Sequence, residues 1–522
     1  MPNRATDALF QLVHSLQKHE KRNFKLYVKR NSSNEDLKII QLFDGLDGMN
    51  EYDEALLMKK TTSIKKQQLS NIKAHLYREV LASLRLLDSK NIDIQLHEQL
   101  DNARILYNKG LYLQSLKVLD KIKETAKAHN QISLLVQVLF LEKKIESLHI
   151  TRSMKDRAEQ LITESDNVND HLFRITKLSN LSLQLYSWYI NNGHARNEKD
   201  ETEIEHYFTT YLSEDLKNAK GFYEKLYLYQ SYCWYAFIRQ NFLLYYRYTQ
   251  HWVNIYEQEP LMIEVETAGY IKGIHNLLNA HFTLRNYSKF EDQLAAFEHF
   301  ADSDIVKSSD NNRIQVFVYL YIAKINQHFL DGTFSEGLQL VPYITGKLKE
   351  FHLHLDRHRI LVFYYKIASL YFGAGDNDNT IIFLNKIINW KVDLRNDLQC
   401  YSRLLHLIAH YEIGNYDLME YLIKSVYRFM AKMENLSLVE EEMFKFLRKS
   451  FHLSPKEIKP QFKKLLDKIK QFEKSRYETR AFVYLDIITW LESKVFEKPV
   501  HQIIREKYLN NTENTIKKHR SR

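Results

Sequence analysis

Glycine and proline are scarce in this chain: 13 Gly and 6 Pro in 522 residues, against usual shares of about 7% and 5%. Sheet turns and long loops draw on Gly for positive φ and on Pro for fixed φ. So small a supply argues against a large β or α/β protein and for helices joined by short turns. Cysteine is scarcer still, at two residues, Cys233 and Cys400. Two thiols support neither a disulfide framework nor a structural zinc site. Long apolar runs are missing too. Leu134–Leu141 is among the longest and already contains Gln137, far short of the 18 or so residues of a membrane span. The opening MPNRATDALFQLVH has no uninterrupted apolar stretch and no small-residue cleavage pattern. The expectation is a protein of a reducing, cytoplasmic setting with no membrane span.

Aromatic residues, by contrast, abound, with 34 Tyr and 28 Phe. A Tyr packs its ring and keeps its hydroxyl wet or paired, which suits thin two-layer architectures. One local pattern also recurs. An apolar helical end meets Gly or a polar stand-in, an aromatic or apolar residue follows two positions later, and an apolar residue stands nine after the Gly. It reads Gly110-Leu111-Tyr112 with Leu119, Gly332-Thr333-Phe334 with Val341, Gly375-Asp376-Asn377 with Leu384, and Gly414-Asn415-Tyr416 with Ile423. Weaker copies are Arg152-Ser153-Met154 with Leu161, Gln240-Asn241-Phe242, and Arg285-Asn286-Tyr287 with Leu294. The marks at 110, 152, 240, 285, 332, 375 and 414 lie 42, 88, 45, 47, 43 and 39 apart. The 88 spans two steps, with a degenerate unit around Gly193. A near-constant step is the footprint of stacked helix pairs. In each, a left-handed residue ends the first helix and the aromatic packs where the second begins.

These residues carry a resemblance. Tyr107 to Tyr112 followed by Ser115-Leu116, and Tyr371 to Asp376 followed by Thr380-Ile381, look like the middle of a tetratricopeptide repeat. That family keeps a small residue five positions after the Gly. Ser115, Gly337 and Thr380 match; Tyr245, Phe290 and Met419 do not. The step also exceeds the family's 34 residues and is nearer that of HEAT-type pairs. The resemblance covers residues 99–430 and implies an all-α fold, an α-solenoid of stacked antiparallel helix pairs. The expected organisation is an N-terminal helical region (1–98), the repeat array (99–440) and a basic helical end (441–522). The segment Leu16–Tyr27 is similar to the start of some uncharacterised bacterial helical-repeat proteins, a likeness that names no activity.

Outside the array, apolar Ile64, Leu69, Ile72, Leu76, Val80, Leu84 and Leu87 predict one long amphipathic helix from Ser63 to Leu87. Glu54–Leu81, with Lys65, Lys66, Lys73 and Arg78 on its second helix, has the outline of a DNA-reading helix-turn-helix; a solvated capping helix is the plainer reading. Charge concentrates at the other end. Residues 445–522 hold 20 Lys and Arg against 9 Asp and Glu, a net of +11, while the whole chain is +9. Ser454-Pro455-Lys456-Glu457 reads as a helix start, and Pro460 as a kink or restart. Beyond it Phe462, Leu465, Leu466, Ile469 and Phe472 share one side. Lys463, Lys470 and Lys474 share the other, as an anion-contacting row or a soluble cap.

No signature of catalysis appears. Gly332-TFSE-Gly337 lacks the Lys-Ser/Thr of a phosphate loop and follows a helix. The pairs His354/His358 and His406/His410 have the spacing of helical metal ligands but lack the Glu of a zinc protease motif and a third ligand. No cofactor or metal is expected, nor an enzyme. The aromatic run Phe222–Tyr256 exceeds what one buried face needs, so Tyr223, Tyr227, Trp234, Tyr245 and Trp252 are candidate partner-binding residues. The sequence thus predicts a non-enzymatic helical-repeat scaffold that binds a protein or peptide along its concave face. A nucleic-acid-linked regulator, acting through the N-terminal helices or the basic end, and an enzyme assembled from distant residues stay open beside it.

Overall fold

The computed structural model describes residues 7–30, 34–88, 91–149, 156–390, 396–433, 436–450, 453–475, 477–478, 482 and 485–520. Among these, every regular element is a helix and no strand occurs. The chain divides into two compact units, Met1–Val168 and Asn169–Arg522.

The first unit contains α1 (Ala8–Ser15), α2 (Lys18–Arg30), α3 (Asn34–Asp47), α4 (Glu54–Lys60), α5 (Lys66–Leu87), α6 (Ile92–Asn108), α7 (Tyr112–Ala128) and α8 (Ile132–His149), and α9 (Arg157–Asn192) begins in it. It has two apolar clusters. Phe24, Phe43, Leu57, Leu76 and Val80 lie in one, and Leu96, Leu100, Leu119, Ile122 and Val138 in the other. The predicted amphipathic helix is α5, with Leu69, Leu76 and Val80 buried. Lys73 is not free on its surface, because it pairs with Asp7 and Tyr52.

The second unit opens with α10 (Glu198–Tyr211) and the short α11 (Glu214–Lys217). It continues with α12 (Phe222–Ile238), α13 (Phe242–Gln258), α14 (Leu261–Val265), α15 (Thr267–Thr283), α16 (Tyr287–Ala301) and α17 (Asp304–Lys307). Then come α18 (Asp310–Asp331), α19 (Phe334–Gly337), α20 (Val341–Glu350), α21 (Arg357–Ala374), α22 (Asn377–Ile388), α23 (Asn396–Glu412) and α24 (Tyr416–Lys432). Neighbours in sequence pack on one another, and the first helices also meet: α15 packs on α18, α18 on α21, and α21 on α23.

The turns carry the local chemistry read from the sequence. Gly110, Gly332, Gly375 and Gly414 all have positive φ, and so do the stand-ins Gln240 and Arg285. At Gly375 the next amide, Asp376 N, donates back to Tyr371 O at 2.9 Å, and Gly375 N donates to Phe372 O at 3.0 Å. Equivalent pairs close the turns at Gly110, Gln240 and Arg285. This is the Schellman closure, which satisfies carbonyls left over at a helix end. The residue two after each turn residue is the first of the next helix: Tyr112, Phe242, Tyr287, Phe334, Asn377 and Tyr416. Leu119, Leu294, Val341, Leu384 and Ile423, nine after, are all buried. The mark at Arg152 lies outside the described residues. A turn at Asn130, also with positive φ, joins α7 to α8 and fits the same pattern, with Ile132 two positions on and buried Leu139 nine on; sequence reasoning missed it.

Small residues permit close helix approach where they occur. Ser115 Oγ donates to Ala103 O at 2.8 Å, and Thr380 Oγ1 to Ala368 O at 3.3 Å. Where Tyr245, Phe290 and Met419 replace them, the large side chains fill the gap and are buried themselves.

The basic end belongs to the second unit. It forms α25 (Leu438–Ser450), α26 (Pro455–Phe472), α27 (Ile487–Phe496) and α28 (Val500–Arg520). Ser454 and Glu457 make the expected capping box, but α26 runs through Pro460 without a break. These helices return along the turns of earlier pairs. Trp490 Nε1 donates to Glu412 Oε1 at 2.7 Å, Arg505 Nη1 to Asp331 O at 3.3 Å, and Tyr508 Oη to Glu291 Oε1 at 2.9 Å.

Candidate functional site

On α12, Tyr223, Tyr227 and Trp234 lie on one side, at spacings of four and seven. Tyr223 and Tyr227 are half-buried and stack with ring centroids 6.3 Å apart. Tyr223 Oη donates to Glu266 Oε2 at 3.2 Å. Trp234, 9% exposed, packs against Tyr186 and Tyr189 of α9 at 4.7 and 5.8 Å.

Two of the five aromatics expected to meet a partner are buried. Tyr245 and Trp252 are 1% and 2% exposed. Both lie on α13, which is packed between α12 and α15, so it buries more than one face. Tyr245 donates to Asn276 Oδ1, and the Trp252 ring sits 3.1 Å from where a Cβ on Gly273 would stand. They are core residues.

Next to Trp234 the same side becomes cationic. Lys272 Nζ of α15 lies 5.9 Å from the Trp234 ring and 4.9 Å from that of Tyr319 on α18. His275, one turn along α15, stacks on Tyr319 at 4.3 Å. Two cations of α21 complete the group. Lys366 Nζ donates to Asn326 Oδ1 of α18 at 2.6 Å and lies 5.4 Å from the Phe329 ring. Arg359 stands at the start of α21, 3.5 Å from Asp356. Lys272, His275, Arg359 and Lys366 all keep partial solvent exposure.

The electrostatics of the group are consistent. Burial lowers the Lys366 ammonium to about 8, because desolvation disfavours its charged form. His275 is pushed well below its usual value by burial, then by Lys272, Lys366 and Arg359, and so stays neutral. Burial would raise the Tyr319 phenol, but Lys272 and Arg359 outweigh it and bring the phenol below its usual value. One aromatic pair is thus ringed by three positive charges.

Sequence reasoning missed Lys272, His275, Tyr319, Arg359 and Lys366. A signal was present, because Tyr227, Lys272 and Tyr319 each precede their turn residue, Gln240, Arg285 or Gly332, by thirteen. The same offset puts them in register on successive first helices.

The lysine row of α26 has the face expected of it. Phe462, Leu465, Leu466 and Ile469 are buried, while Lys463, Lys470 and Lys474 are exposed. Lys470 is partly neutralised by Glu492 at 2.7 Å, a carboxylate that Lys507 also approaches at 2.6 Å. His406 and His410 have rings 4.5 Å apart. Among the described residues no three His, Cys, Asp or Glu side chains converge as metal ligands. No described helix is long and apolar enough to cross a membrane. No protein-family model and no curated protein matches the chain.

Proposed function

We propose that this chain is a cytoplasmic, non-enzymatic scaffold, an α-solenoid of tetratricopeptide-like helix pairs capped by helices at both ends. In this reading it holds a protein or peptide partner along a concave face built from the first helix of each pair. Stacked pairs bury a continuous core and leave such a face open. The observation that carries the reading is a row in which exposed Tyr186 and the partly exposed cations Lys272 and Lys366 flank the buried rings of Trp234 and Tyr319. Aromatics beside cations are what binding hot spots use. Cys233 and Cys400, both buried thiols, are compatible with a reducing compartment.

The test is differential capture from the native cell. Wild type, the double variant Tyr186→Ala/Tyr227→Ala and the control Tyr421→Ala, changed at an exposed residue of α24, are compared by mass spectrometry. A partner held by wild type and control but lost from the double variant supports the reading. Identical sets for all three contradict it, provided circular dichroism shows each variant folded.

A further inference from the structure

Elsewhere this protein neutralises several of the cations it buries, although among the described residues Arg403 donates only to the Gln399 side chain and backbone carbonyls. Arg174 meets Glu224 and Asp215, Lys123 meets Glu142 and Glu164, and Arg239 meets Glu201. The group on α15, α18 and α21 breaks that pattern. Among the described residues no carboxylate lies within 4 Å of the Lys272 or Lys366 ammonium, and the partner of Lys366 is the neutral Asn326. Arg359 has only Asp356, one turn away and half-exposed at 54%. Like charges gathered without a counter-ion repel, and a partly desolvated cation calls for pairing. Among the described residues the fold supplies no counter-charge beyond Asp356.

The shape of the group narrows what supplies it. Three helices contribute, each with its own cation or hydrogen-bonding group, around the stacked His275 and Tyr319 rings. A guanidinium fork and ammonium groups together suit an acceptor with several charged oxygens. A lone carboxylate offers one charge and two oxygens. A phosphate monoester offers close to two charges and three oxygens, and the Asn326 amide nitrogen and Tyr319 hydroxyl add neutral donors.

We propose that Lys272, Arg359 and Lys366 form a binding site for a phosphate monoester, seated beside the Tyr319–His275 stack. The proposal rests on the partner-binding reading above and names the chemical group the face recognises. The ester can be a phosphorylated side chain of the partner or a small phosphorylated molecule.

The probes are phenyl phosphate and inorganic phosphate, titrated calorimetrically into the full chain at pH 7 in phosphate-free, low-salt buffer. Saturable one-site binding is expected, weakened by roughly tenfold or more in Lys272→Gln/Arg359→Gln. Lys117→Gln/Lys121→Gln, which removes the same charge from exposed sites on α7, should leave it unchanged. A pool of phosphoserine peptides, before and after phosphatase treatment, separates the sources. Phosphate-dependent retention assigns the site to a modified partner, and binding of phenyl phosphate alone assigns it to a small ester. A second readout guards against a folding artefact. Lys272→Gln relieves repulsion, so its melting midpoint in phosphate-free buffer should equal or exceed that of wild type, and phosphate should raise only the wild-type midpoint.

No saturable binding of either probe at millimolar concentration overturns the proposal, as does equal binding by the double Gln variant. So does a lower midpoint for Lys272→Gln. If these fail while Tyr186→Ala/Tyr227→Ala still loses its captured partner, the scaffold reading survives without the phosphate site.

Discussion

Gly332 touches the backbone of Arg505. A Cβ on Gly332 would stand 2.7 Å from Arg505 N and 2.6 Å from His501 O, and the glycine itself has φ +73°. One residue therefore closes α18 and seats α28 against that turn. Gly375, at φ +85°, has open space where its Cβ would be. Gly375→Ala should cost about 1 kcal/mol, the left-handed penalty alone. Gly332→Ala should cost about 2 kcal/mol or more and expose α28 to protease, since backbone cannot swing aside as a side chain does. Urea midpoints and limited proteolysis check both. Equal losses for the two variants would mean that α28 does not dock at Gly332.

Buried histidines set a pH dependence. His281 is lowered to about 4 by burial and then by Lys289. His406 is lowered to about 4 by burial, then by His410 and Arg403. In the unfolded chain both titrate near about 6.5. Between those values the unfolded state binds more protons, so their contribution is complete above pH 6.5 and lost as pH falls towards 4. The loss should be on the order of 1–3 kcal/mol per histidine. Urea midpoints from pH 7 to pH 4 measure it, and His406→Gln should flatten the profile. An unchanged slope in that variant would show that His406 titrates normally.

Glu224 is fully buried and has three partners, Arg174 Nε at 2.9 Å, His171 Nδ1 at 2.5 Å and the Lys220 amide at 3.2 Å. Burial alone would raise its pKa, but Arg174 and His171 outweigh that and hold the carboxylate below its usual value. Arg174→Met strands the charge and should cost about 3–5 kcal/mol. Arg174→Met combined with Glu224→Gln should recover part of that loss, which denaturation of the single and double variants checks. No recovery would show that the arginine acts by packing instead.

The helix pairs were legible because their turns make narrow chemical demands. A left-handed residue favours Gly, and the helix that follows buries an apolar residue nine positions after it. The Asn130 turn meets the same demands with Asn130, Ile132 and Leu139, but it stands 20 residues after Gly110, off the step that the other marks keep, and so was missed. The aromatics of Phe222–Tyr256 were divided poorly for another reason. Sequence periodicity assigns one buried face to a helix, whereas α13 is covered by neighbours on two sides, which takes in Tyr245 and Trp252. The cationic group could not be seen from any one segment. Lys272, Tyr319, Arg359 and Lys366 belong to three helices, and a lone Lys in an apolar helix reads as a side chain that reaches solvent. Lys272 and Tyr319 share a register, thirteen before Arg285 and Gly332, whereas Arg359 and Lys366 stand sixteen and nine before Gly375 and join them only through the packing of α21 on α18.

The central claim is that a partner lies along the face of the first helices. Site-specific photo-crosslinking in the native cell tests it directly, with a benzophenone side chain placed at position 227 or, as control, at 421. The control position, on α24, is 72% exposed and lies on a second helix. The account predicts a discrete protein adduct from 227 and none of that mass from 421. An adduct from 421 with none from 227 would contradict it.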